Sequence, residues 1–406
     1  MTSVVTPTVP TAAVTEPDRP SSSPEPFDAH VVLLHNYIPP HALAVYIELA
    51  RRVRKLTVLL STPMESNRNW KPDFGTLDVR VQRTVTLQRP WKHPTGFRDR
   101  LYVHIPWNTM GLLRELRPDV VISGEMGVRS LLSACYTMLS PRTPLVLHAA
   151  MSEHTEQGRG WMRYLLRRWL LRRATCIGVN GASGARYLRK LGFDPARIFH
   201  TPYTAVPLFD RVPLTRSAED AHRLLYVGQL IERKGLVPFV EGLARWATRH
   251  PDRLVEFDLA GSGPLEARLR STSRPDNLQL RFLGERNYSE LSECFANSGI
   301  LAFPTLADEW GMVVNEALAA GLPVLGSRYS QGVEELCPEG QTGWNFRTDV
   351  PEELDGAIDR ALTTSVEALN AMRAAGHARV EHLTPAYAAD RFLDTIKAAL
   401  ADVKTT

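Results

Sequence analysis

The segment FPTLADEWGMVVNEA, residues 303–317, joins a short apolar run to a helical pattern through an acidic loop. The apolar run Gly299 to Phe303 predicts a buried strand, and the pattern after Gly311 predicts a helix. Asp308 and Glu316 are eight positions apart, so both carboxylates can face one cleft into which the helix N-terminus points its free N–H groups. Carboxylates hold hydroxyl groups and free N–H groups hold anionic oxygens, and a nucleotide-sugar presents both.

The helix that carries Glu316 has a buried character. Val313, Val314 and Ala317 lie next to Glu316 in the sequence and predict a helix that is mostly covered by protein. Buried carboxylates are rare unless they have a partner. This pattern favours a ligand-binding Glu316 over a solvated surface residue.

The composition is that of a globular protein. The chain has 406 residues, of which 44% are hydrophobic and 23% charged, a length that suits two domains. Residues 1–26 are rich in Pro, Ser, Thr and Ala, which predicts a disordered tail without the features of a signal peptide. No segment reaches the roughly 20 apolar residues of a membrane span. The 4 cysteines lack metal-ligand spacing and indicate reduced thiols in a cytoplasmic protein.

The charge is distributed unevenly along the chain. Residues 27–205 contain 26 Lys and Arg against 12 Asp and Glu, whereas residues 206–406 contain 21 against 29. A basic N-terminal half on an acidic C-terminal half predicts that one face attracts anions. Membrane lipids and a phosphorylated acceptor are candidate anions. Nucleic acid is disfavoured, because no motif that reads nucleic acid accompanies the charge.

Short apolar runs alternate with helical patterns in both halves. This order predicts an α/β fold of two doubly wound Rossmann-like domains that face a central cleft. We expect an acceptor-side domain over residues 27–205, a nucleotide-sugar-binding domain over residues 206–385, and a last helix over residues 386–406 that can return to the N-terminal domain. The linker is expected within Pro202–Pro213. The predicted strands are His30–Leu34, Leu56–Ser61, Leu77–Gln82, Val120–Ser123, Leu145–His148, Cys176–Val179, Leu224–Val227, Val255–Ala260, Leu278–Leu283, Ile300–Phe303 and Pro323–Leu325.

A glycine-containing loop follows the first strand of the C-terminal half. Gly228 and Gln229 open this loop, and Arg233 and Lys234 close it. Glycine lets the backbone approach a ligand, and Lys234 can reach a diphosphate as a compact cation. Loops of this composition are common, so a surface lysine before a helix explains the same residues.

Two further glycine loops give weaker signals. The segment AGSGPL, residues 260–265, lacks the third glycine of a dinucleotide fingerprint and equally fits a tight turn at a helix start. Gly284 ends the next strand, where its backbone can offer hydrogen bonds to a base, although a plain turn explains it too.

Polar residues also follow strands of the N-terminal half. Asn36 and Tyr37 come after the first strand, whereas His148 ends a later strand and is followed by Glu153. Ligands bind at the carboxyl ends of strands in such sheets. Asn36, Tyr37 and Glu153 are therefore candidates for the acceptor side, and His148 is a candidate catalytic residue. For His148, the structural and the catalytic interpretations are balanced.

The segment Arg163–Arg173 combines five arginines with Trp and Leu at helical spacing. This basic amphipathic pattern suits an anionic membrane surface. A helix that packs through its leucines and leaves its arginines in water is an equally good interpretation.

Together these motifs resemble the family 4 glycosyltransferases of glycosyltransferase group 1, which have the two-domain GT-B fold. The resemblance covers roughly Phe27 to the end of the chain and is strongest from Leu224 to Phe346. Its marks follow the family's order and are Val227-Gly228, Arg233-Lys234-Gly235, residues 260–264, residues 282–284, Trp310-Gly311, Glu316-Ala317, residues 321–324 and Gly343.

The resemblance implies residue roles on the donor side. Glu316 matches the second acid of the family's paired-carboxylate motif, which holds the ribose hydroxyls of a UDP- or GDP-sugar. Asp308 matches the first acid, which contacts the transferred sugar. Lys234 matches the lysine that neutralises the leaving diphosphate, and Arg233 is a possible helper.

Further matches concern the sugar and the chemistry. The backbone of Gly311 and Met312 is expected beside the sugar and its phosphate, and His148 resembles a histidine near the sugar's 6-hydroxyl. The resemblance implies a retaining hexosyltransferase. No Asp-x-Asp sequence occurs, which agrees with a reaction that needs no metal or other cofactor.

Three positions depart from the family pattern. Asp308 stands where Glu is usual and reaches less far by one methylene, and Gln229 stands where Arg is frequent. The glycine pair expected after the first strand is replaced by residues 36–40, Asn-Tyr-Ile-Pro-Pro. These departures indicate altered donor choice or reduced turnover, and a different acceptor side.

Several functions fit these residues. The leading interpretation is transfer of a sugar to a lipid-linked or membrane-proximal glycan acceptor, in surface polysaccharide or glycoconjugate synthesis, by a protein peripheral to the inner membrane face. Transfer to a soluble acceptor and a catalytically impaired, sugar-nucleotide-binding scaffold are alternatives. An NAD-dependent oxidoreductase is a weaker one, since residues 260–265 lack the full fingerprint.

Overall fold

The computed structural model describes residues 25–64, 73–205 and 212–405. The predicted tail therefore lies almost wholly outside the described residues, and so does the middle of the predicted linker. The described chain forms two parallel α/β halves, each with its own sheet.

The N-terminal half contains one seven-stranded parallel sheet in the order β3-β2-β1-β6-β7-β8-β9 and one antiparallel hairpin, β4-β5. Its elements are β1 (Phe27–His35), α1 (Pro40–Arg52), β2 (Val53–Leu60), β3 (Asp78–Val81), β4 (Thr84–Lys92), β5 (Arg98–Pro106), α2 (Thr109–Leu116), β6 (Val120–Gly124), α3 (Val128–Leu139), β7 (Leu145–Ala149), α4 (Trp161–Leu171), β8 (Cys176–Val179), α5 (Ala182–Lys190), a 3-10 turn (Pro195–Arg197) and β9 (Ile198–His200).

The C-terminal half contains a six-stranded parallel sheet in the order β12-β11-β10-β13-β14-β15. Its elements are β10 (Leu224–Val227), a 3-10 turn (Glu232–Lys234), α6 (Leu236–Arg249), β11 (Val255–Ala260), α7 (Glu266–Ser271), β12 (Leu278–Gly284), α8 (Tyr288–Ala296), β13 (Ile300–Phe303), α9 (Met312–Ala319), β14 (Val324–Ser327), α10 (Gln331–Leu336), β15 (Gly343–Phe346), α11 (Pro351–Thr363), α12 (Val366–Val380) and α13 (Pro385–Thr405).

The central strands are apolar along their whole length because helices cover both faces of each sheet. In β6 and β13, for example, every residue is buried. Each half has two hydrophobic clusters, one on either side of its sheet. The prediction of two Rossmann-like sheets is confirmed.

The last helix, α13, leaves the C-terminal half and packs on the N-terminal sheet. Its buried residues join the cluster that lies between β1 and α1. Phe392 contacts Tyr46 with ring centroids 6.3 Å apart, and Arg52 donates to Asp390 at 2.7 Å. One face of the N-terminal sheet is therefore covered by α1 and α13.

The predicted strands correspond to eleven observed ones, with small differences at their ends. The sequence interpretation missed the hairpin β4-β5, and also β9 and β15. β4 is largely exposed and β5 is mostly half-buried, so neither shows the continuous buried run that marked the others. The hairpin matters here because β5 brings Asp99 to the C-terminal half, where it contacts Arg233.

Candidate active site

The centre of the candidate site is an ion pair between two loops of the C-terminal half. The loop after β13 carries Asp308, and the turn after β10 carries Lys234. The Nζ atom of Lys234 donates to the Oδ2 atom of Asp308 at 2.5 Å, and Arg233 Nη1 lies 3.5 Å from the same oxygen. The sequence interpretation expected both residues at a ligand site, and the structure brings them together.

The charges around Asp308 keep it ionised. Burial alone would raise the pKa of this carboxyl, but the positive charges of Lys234 and Arg233 act in the opposite direction. Their combined effect, with the hydrogen bond from Lys234, holds the pKa of Asp308 below its usual range. Asp308 is therefore an anion at neutral pH, and it orients Lys234.

The two loops approach closely because Gly235 follows Lys234. Gly235 has a φ of 65°, and a Cβ atom there would lie 2.0 Å from the carbonyl oxygen of Pro304. Leu306 N–H also donates to the carbonyl of Arg233 at 2.8 Å. Only glycine fits where the two loops cross. The close crossing fixes the position of Lys234, the residue before Gly235.

Arg233 links the site to the N-terminal half. Its Nε atom donates to Asp99 on β5 at 3.1 Å, and its Nη1 atom donates to the carbonyl of Ala307 at 3.0 Å. Burial would lower the pKa of Arg233, but the nearby Asp308 and Asp99 raise it instead. The hairpin thus holds a second cation beside Lys234.

Glu316 lies on α9 in a different environment from Asp308. Only 9% of it is exposed, and its carboxylate accepts no hydrogen bond from the parts of the chain that the structure describes. Burial raises the pKa of Glu316 to about 7. A buried carboxylate with free acceptor capacity can bind donor hydroxyls of a ligand.

The N-terminus of α9 begins at Gly311 and Met312. Gly311 has a φ of 88°, and a Cβ atom there would lie 2.5 Å from the ring of Phe303 at the end of β13. Both residues are partly exposed, as expected for backbone that faces a ligand. The first N–H groups of α9 therefore start directly after the loop that holds Asp308.

The remaining donor-side candidates lie on the neighbouring loops. Gly228 N–H donates to the carbonyl of Ala260 at 2.9 Å, and the Gly284 carbonyl accepts from Gly261 N–H at 2.7 Å. Gln229 is exposed, and its carbonyl accepts from the hydroxyl of Tyr226 at 2.7 Å. These hydrogen bonds fix the carboxyl ends of β10, β11 and β12 in one plane.

On the N-terminal side, Asn36 belongs to a polar network. Its Nδ2 atom donates to Glu125 at 2.6 Å, and its Oδ1 atom accepts from Arg129 at 2.5 Å. Tyr37 is half-buried, and its carbonyl contacts the ring of His35. The structure places Asn36 and Tyr37 at the carboxyl edge of the sheet, as the sequence interpretation expected.

His148 ends β7 and is only 8% exposed. Its ring lies 5.0 Å from the ring of Phe392 on α13. Burial, with the nearby His35, lowers the pKa of His148 to about 3. The imidazole is therefore neutral at physiological pH and can exchange hydrogen bonds without carrying charge.

Glu153 is engaged in ion pairs rather than left open to a ligand. Its two carboxylate oxygens accept from Arg186 at 2.7 Å and from Lys190 at 2.5 Å, both on α5. Arg186 also donates to Glu334 of α10 at 2.6 Å. Glu153 is part of a network that joins the two halves, which sequence spacing did not reveal.

The arginines of the predicted amphipathic helix do not share one face, so that expectation needs correction. Arg167 is buried, with 1% exposed, and donates to the hydroxyl of Tyr187 at 2.9 Å. Arg163 is half-buried. The outer face of α4 instead exposes Trp161, Met162, Tyr164 and Leu165, followed by Arg168, Arg172 and Arg173.

Two acidic residues at the cleft were not proposed from the sequence. Glu309 follows Asp308 and is exposed at the cleft, and loss of hydration between the cleft walls, followed by the charges of Glu125 and Asp308, raises its pKa. Glu125 follows β6 with a φ of 64°, which is uncommon for a residue other than glycine. Its place directly after Gly124, at a strand end, was the signal that could have revealed it.

Neither a metal site nor a membrane span is found among the residues that the structure describes. No three His, Cys, Asp or Glu side chains there form a metal-binding group. No helix within the same ranges is long and apolar enough to cross a bilayer. Independence from metal stays a prediction.

Known proteins match both halves of the chain. Residues 214–379 match the family described as Glycosyl transferases group 1, and residues 38–204 match the Glycosyl transferase 4-like domain. Glycogen synthase of Mycobacterium tuberculosis (strain ATCC 25618 / H37Rv) is 28% identical over 282 residues, which cover 66% of this chain and 65% of that protein.

Solved structures share the fold at low sequence identity. Anabaena HepE in complex with UDP and glucose has a TM-score of 0.64 at 16% identity, covering 91% of this chain and 99% of that chain. The lipopolysaccharide outer core galactosyltransferase WaaB has a TM-score of 0.66 at 12% identity, covering 92% and 99%. Both halves therefore have the GT-B arrangement, and the chain belongs to the group 1, GT4-like glycosyltransferases.

Proposed function

We propose that this protein transfers a hexose from a UDP- or GDP-sugar to a glycan acceptor with retention of anomeric configuration. The observation that carries the proposal is the arrangement of Lys234, Asp308 and Glu316. Asp308 holds the mostly buried cation of Lys234, and the helix that follows the Asp308 loop carries Glu316, a buried carboxylate with free acceptor capacity. Bound UDP and glucose in the similar HepE structure support a nucleotide-sugar donor.

The proposed chemistry depends on charge at the leaving group. Cleavage of the anomeric C–O bond leaves negative charge on the nucleoside diphosphate, which needs fixed cations and N–H donors. Lys234 supplies the nearest cation, with Arg233 beside it. The N–H groups of Gly311 and Met312 supply donors at the start of α9.

The carboxylates of Glu316 and Asp308 bind different parts of the donor. Glu316 holds the ribose hydroxyls, because its oxygens have no other partner in the described chain. Asp308 positions Lys234 and contacts the sugar. His148, which stays neutral, meets a sugar hydroxyl from the opposite wall, while Gly228, Gln229 and Gly284 contribute backbone around the base and phosphates.

The acceptor in this proposal is membrane-bound or close to a membrane. The outer face of α4 presents Trp161, Met162 and Leu165 to solvent, with 71%, 66% and 53% exposed. Arg168 and Arg172 lie on the same face. Large apolar residues bordered by arginines suit an interface of anionic lipid, and a peripheral position would bring a lipid-linked acceptor to the basic half.

The donor is tested by calorimetric titration with UDP and GDP, with NAD as the control, on the wild type and on Glu316→Ala. We expect one diphosphate to bind the wild type and to bind the variant much more weakly. Binding of NAD alone would overturn the proposal. Diphosphate binding without transfer to any acceptor would instead support the scaffold alternative.

The membrane part is tested by flotation with vesicles of phosphatidylglycerol and phosphatidylcholine. Neutralising Arg168 and Arg172, or replacing Trp161 and Leu165 by Ser, should reduce binding. The matched control neutralises Arg142 and Arg189, which are also exposed in the basic half. Equal loss in the control would show a diffuse effect of charge, and full binding in all variants would favour a soluble acceptor.

A further inference from the structure

Three arginines at four-residue spacing point inward from the N-terminal half. Arg163 and Arg167 lie on the inner face of α4, and Arg159 lies in the turn before that helix. We call these three residues the arginine stripe. The charge of Arg163 lowers the pKa of Arg159, after the larger effect of burial, so the two guanidinium groups are close neighbours.

Each member of the stripe is held by protein contacts on part of its surface. The guanidinium carbon of Arg159 lies 3.7 Å from the ring centroid of Trp91, and its Nε atom donates to the carbonyl of Thr155 at 2.9 Å. Arg167 donates to Tyr187 and forms an ion pair with Glu156. The stripe is thus a fixed arrangement and not a set of mobile surface arginines.

Each member also keeps a buried donor without a partner. The Nη1 atom of Arg159 and the Nε atoms of Arg163 and Arg167 are shielded from solvent and find no hydrogen-bond acceptor in the described ranges. Buried donors of charged groups are costly to leave unpaired. Arg167, with 1% exposed, is the strongest case.

Few of the carboxylates near the stripe bond to its arginines directly. Glu156 is the one that forms ion pairs with stripe members, to Arg167 and, at 3.8 Å, to Arg163. Glu309 is within electrostatic range of all three arginines but makes no side-chain hydrogen bond to any of them among the described residues. Asp99 acts electrostatically on Arg159 and Glu125 on Arg163, but neither forms an ion pair with its arginine in the described ranges. The unpaired donors of the stripe therefore remain available to a further anion.

The stripe lies at the cleft, opposite the donor loop. Its segment follows β7, whose carboxyl end faces the cleft in such sheets. His154, from the same segment, contacts the carbonyl of Leu306 at 2.6 Å, and its ring stacks on Tyr329 with centroids 3.9 Å apart. The stripe is therefore on the N-terminal wall of the cleft, within electrostatic range of Glu309.

We propose that the arginine stripe binds a phosphate or phosphodiester group carried by the acceptor. Guanidinium groups match the oxygens of a phosphate with paired, charge-assisted hydrogen bonds, and the unpaired donors of the stripe supply them. This inference rests on the proposed function, because it names the chemical class of acceptor for the same cleft. A phosphate or phosphodiester group of this kind occurs both on soluble phosphorylated sugars and on lipid headgroups.

The test titrates inorganic phosphate into protein whose donor site is saturated with the nucleoside diphosphate. In the double variant Arg159→Gln/Arg163→Gln, phosphate affinity should fall at least roughly ten-fold, since each charge-assisted hydrogen bond contributes more than a neutral one. The matched control is Arg142→Gln/Arg189→Gln, which removes the same charge from exposed positions of the same half. It should leave phosphate affinity unchanged.

Conservative variants and a folding check keep the test decisive. Circular dichroism and thermal melting report whether the double variant folds, and Arg163→Lys alone retains the charge at this position and should lose less affinity than Arg163→Gln. Equal loss in the stripe variant and in the matched control overturns the inference. So does wild-type protein that binds no phosphate once the donor site is full.

A vesicle arm separates the two sources of phosphate. If the stripe variant loses phosphate binding but still floats with phosphatidylglycerol vesicles, the acceptor phosphate is on a soluble or extended group. If it loses both, the phosphate belongs to a lipid headgroup. Failure of the nucleoside diphosphate itself to bind wild type would defeat the proposed function, whereas donor binding without a phosphate site defeats this inference alone.

Discussion

Lys234 Nζ and Asp308 Oδ2 are 2.5 Å apart where the loop after β13 crosses the turn after β10. Each residue comes from a different βα connection, so neither is placed by its own helix. Their contact depends on the crossing at Gly235. The distance between Lys234 and Asp308 therefore depends on how the two βα connections are positioned at the edge of the C-terminal sheet.

Replacing Lys234 by Ala should lower kcat/KM for sugar transfer by roughly 10²- to 10³-fold, because one fixed charge opposite the leaving diphosphate is lost. Lys234→Arg should recover part of the rate. Steady-state kinetics measure kcat/KM of both Lys234 variants, with the nucleotide-sugar whose diphosphate binds in the calorimetric titration as the donor. The exposed Lys55 provides the control, and Lys55→Ala should be as active as the wild type. Full activity of Lys234→Ala would remove this residue from the mechanism.

Replacing Glu316 by Gln should change how stability depends on pH. Burial raises the pKa of Glu316 to about 7 in the folded protein, from an ordinary value of 4.5. The folded state thus keeps a proton that the unfolded state releases, so stability falls as pH rises from 4.5 through 7. The loss is about 3 kcal/mol at pH 8.

The measurement compares urea unfolding of wild type and Glu316→Gln at pH 5 and pH 8. The free energy of unfolding of the variant minus that of wild type should be larger at pH 8 than at pH 5. The reason is that Gln cannot ionise, so the variant avoids the cost of burying the Glu316 charge at high pH. A difference between the two proteins that is the same at both pH values would contradict the raised pKa. The comparison cancels the other titrating groups, which both proteins share.

Comparing Gly235→Ala with Gly192→Ala should separate the cost of backbone strain at a positive φ from the cost of a steric clash. A Cβ atom at Gly235 would lie 2.0 Å from the Pro304 carbonyl, whereas Gly192, which also has a positive φ, has nothing within 4 Å. Gly192→Ala should cost roughly 1–2 kcal/mol from backbone strain alone. Gly235→Ala should cost clearly more and should weaken nucleoside diphosphate binding, as measured by calorimetry. Equal costs would show that the loops do not cross tightly.

Replacing Phe392 by Ala should destabilise the N-terminal half. Phe392 is 6% exposed and contacts Tyr46 and His148 from α13. A buried Phe→Ala change costs about 3–5 kcal/mol. Thermal and urea unfolding measure this cost. Lys397→Ala, at an exposed position of the same helix, should be close to neutral. A neutral Phe392→Ala would indicate that α13 is only loosely attached.

The sequence predicted best where burial is continuous. The strands Cys176–Val179, Leu224–Val227, Val255–Ala260 and Ile300–Phe303 are observed with the predicted bounds. Parallel strands covered on both faces must be apolar along their length, and that requirement is visible residue by residue. The burial of Glu316 followed from the same reasoning, since its neighbours Val313 and Val314 have to face the core.

The sequence predicted poorly where partners come from distant segments. Glu153 looked available, yet Arg186 and Lys190 occupy its carboxylate. Arg163 and Arg167 looked like surface residues because Arg is mostly exposed, and nothing local announced their inward orientation. The hairpin β4-β5 is only partly buried and its strands were not predicted. The contact between Asp99 and Arg233 therefore could not be inferred from the spacing of residues in the sequence.

The return of α13 to the N-terminal sheet bears on how the protein is made. The cluster between β1 and α1 stays uncovered until residues 385–405 have been synthesised, although β1 leaves the ribosome early. The N-terminal half therefore cannot complete its core during translation of the half itself. A product that stops before Pro385 would expose apolar surface around Tyr46 and Leu49, which marks it for chaperones and proteases.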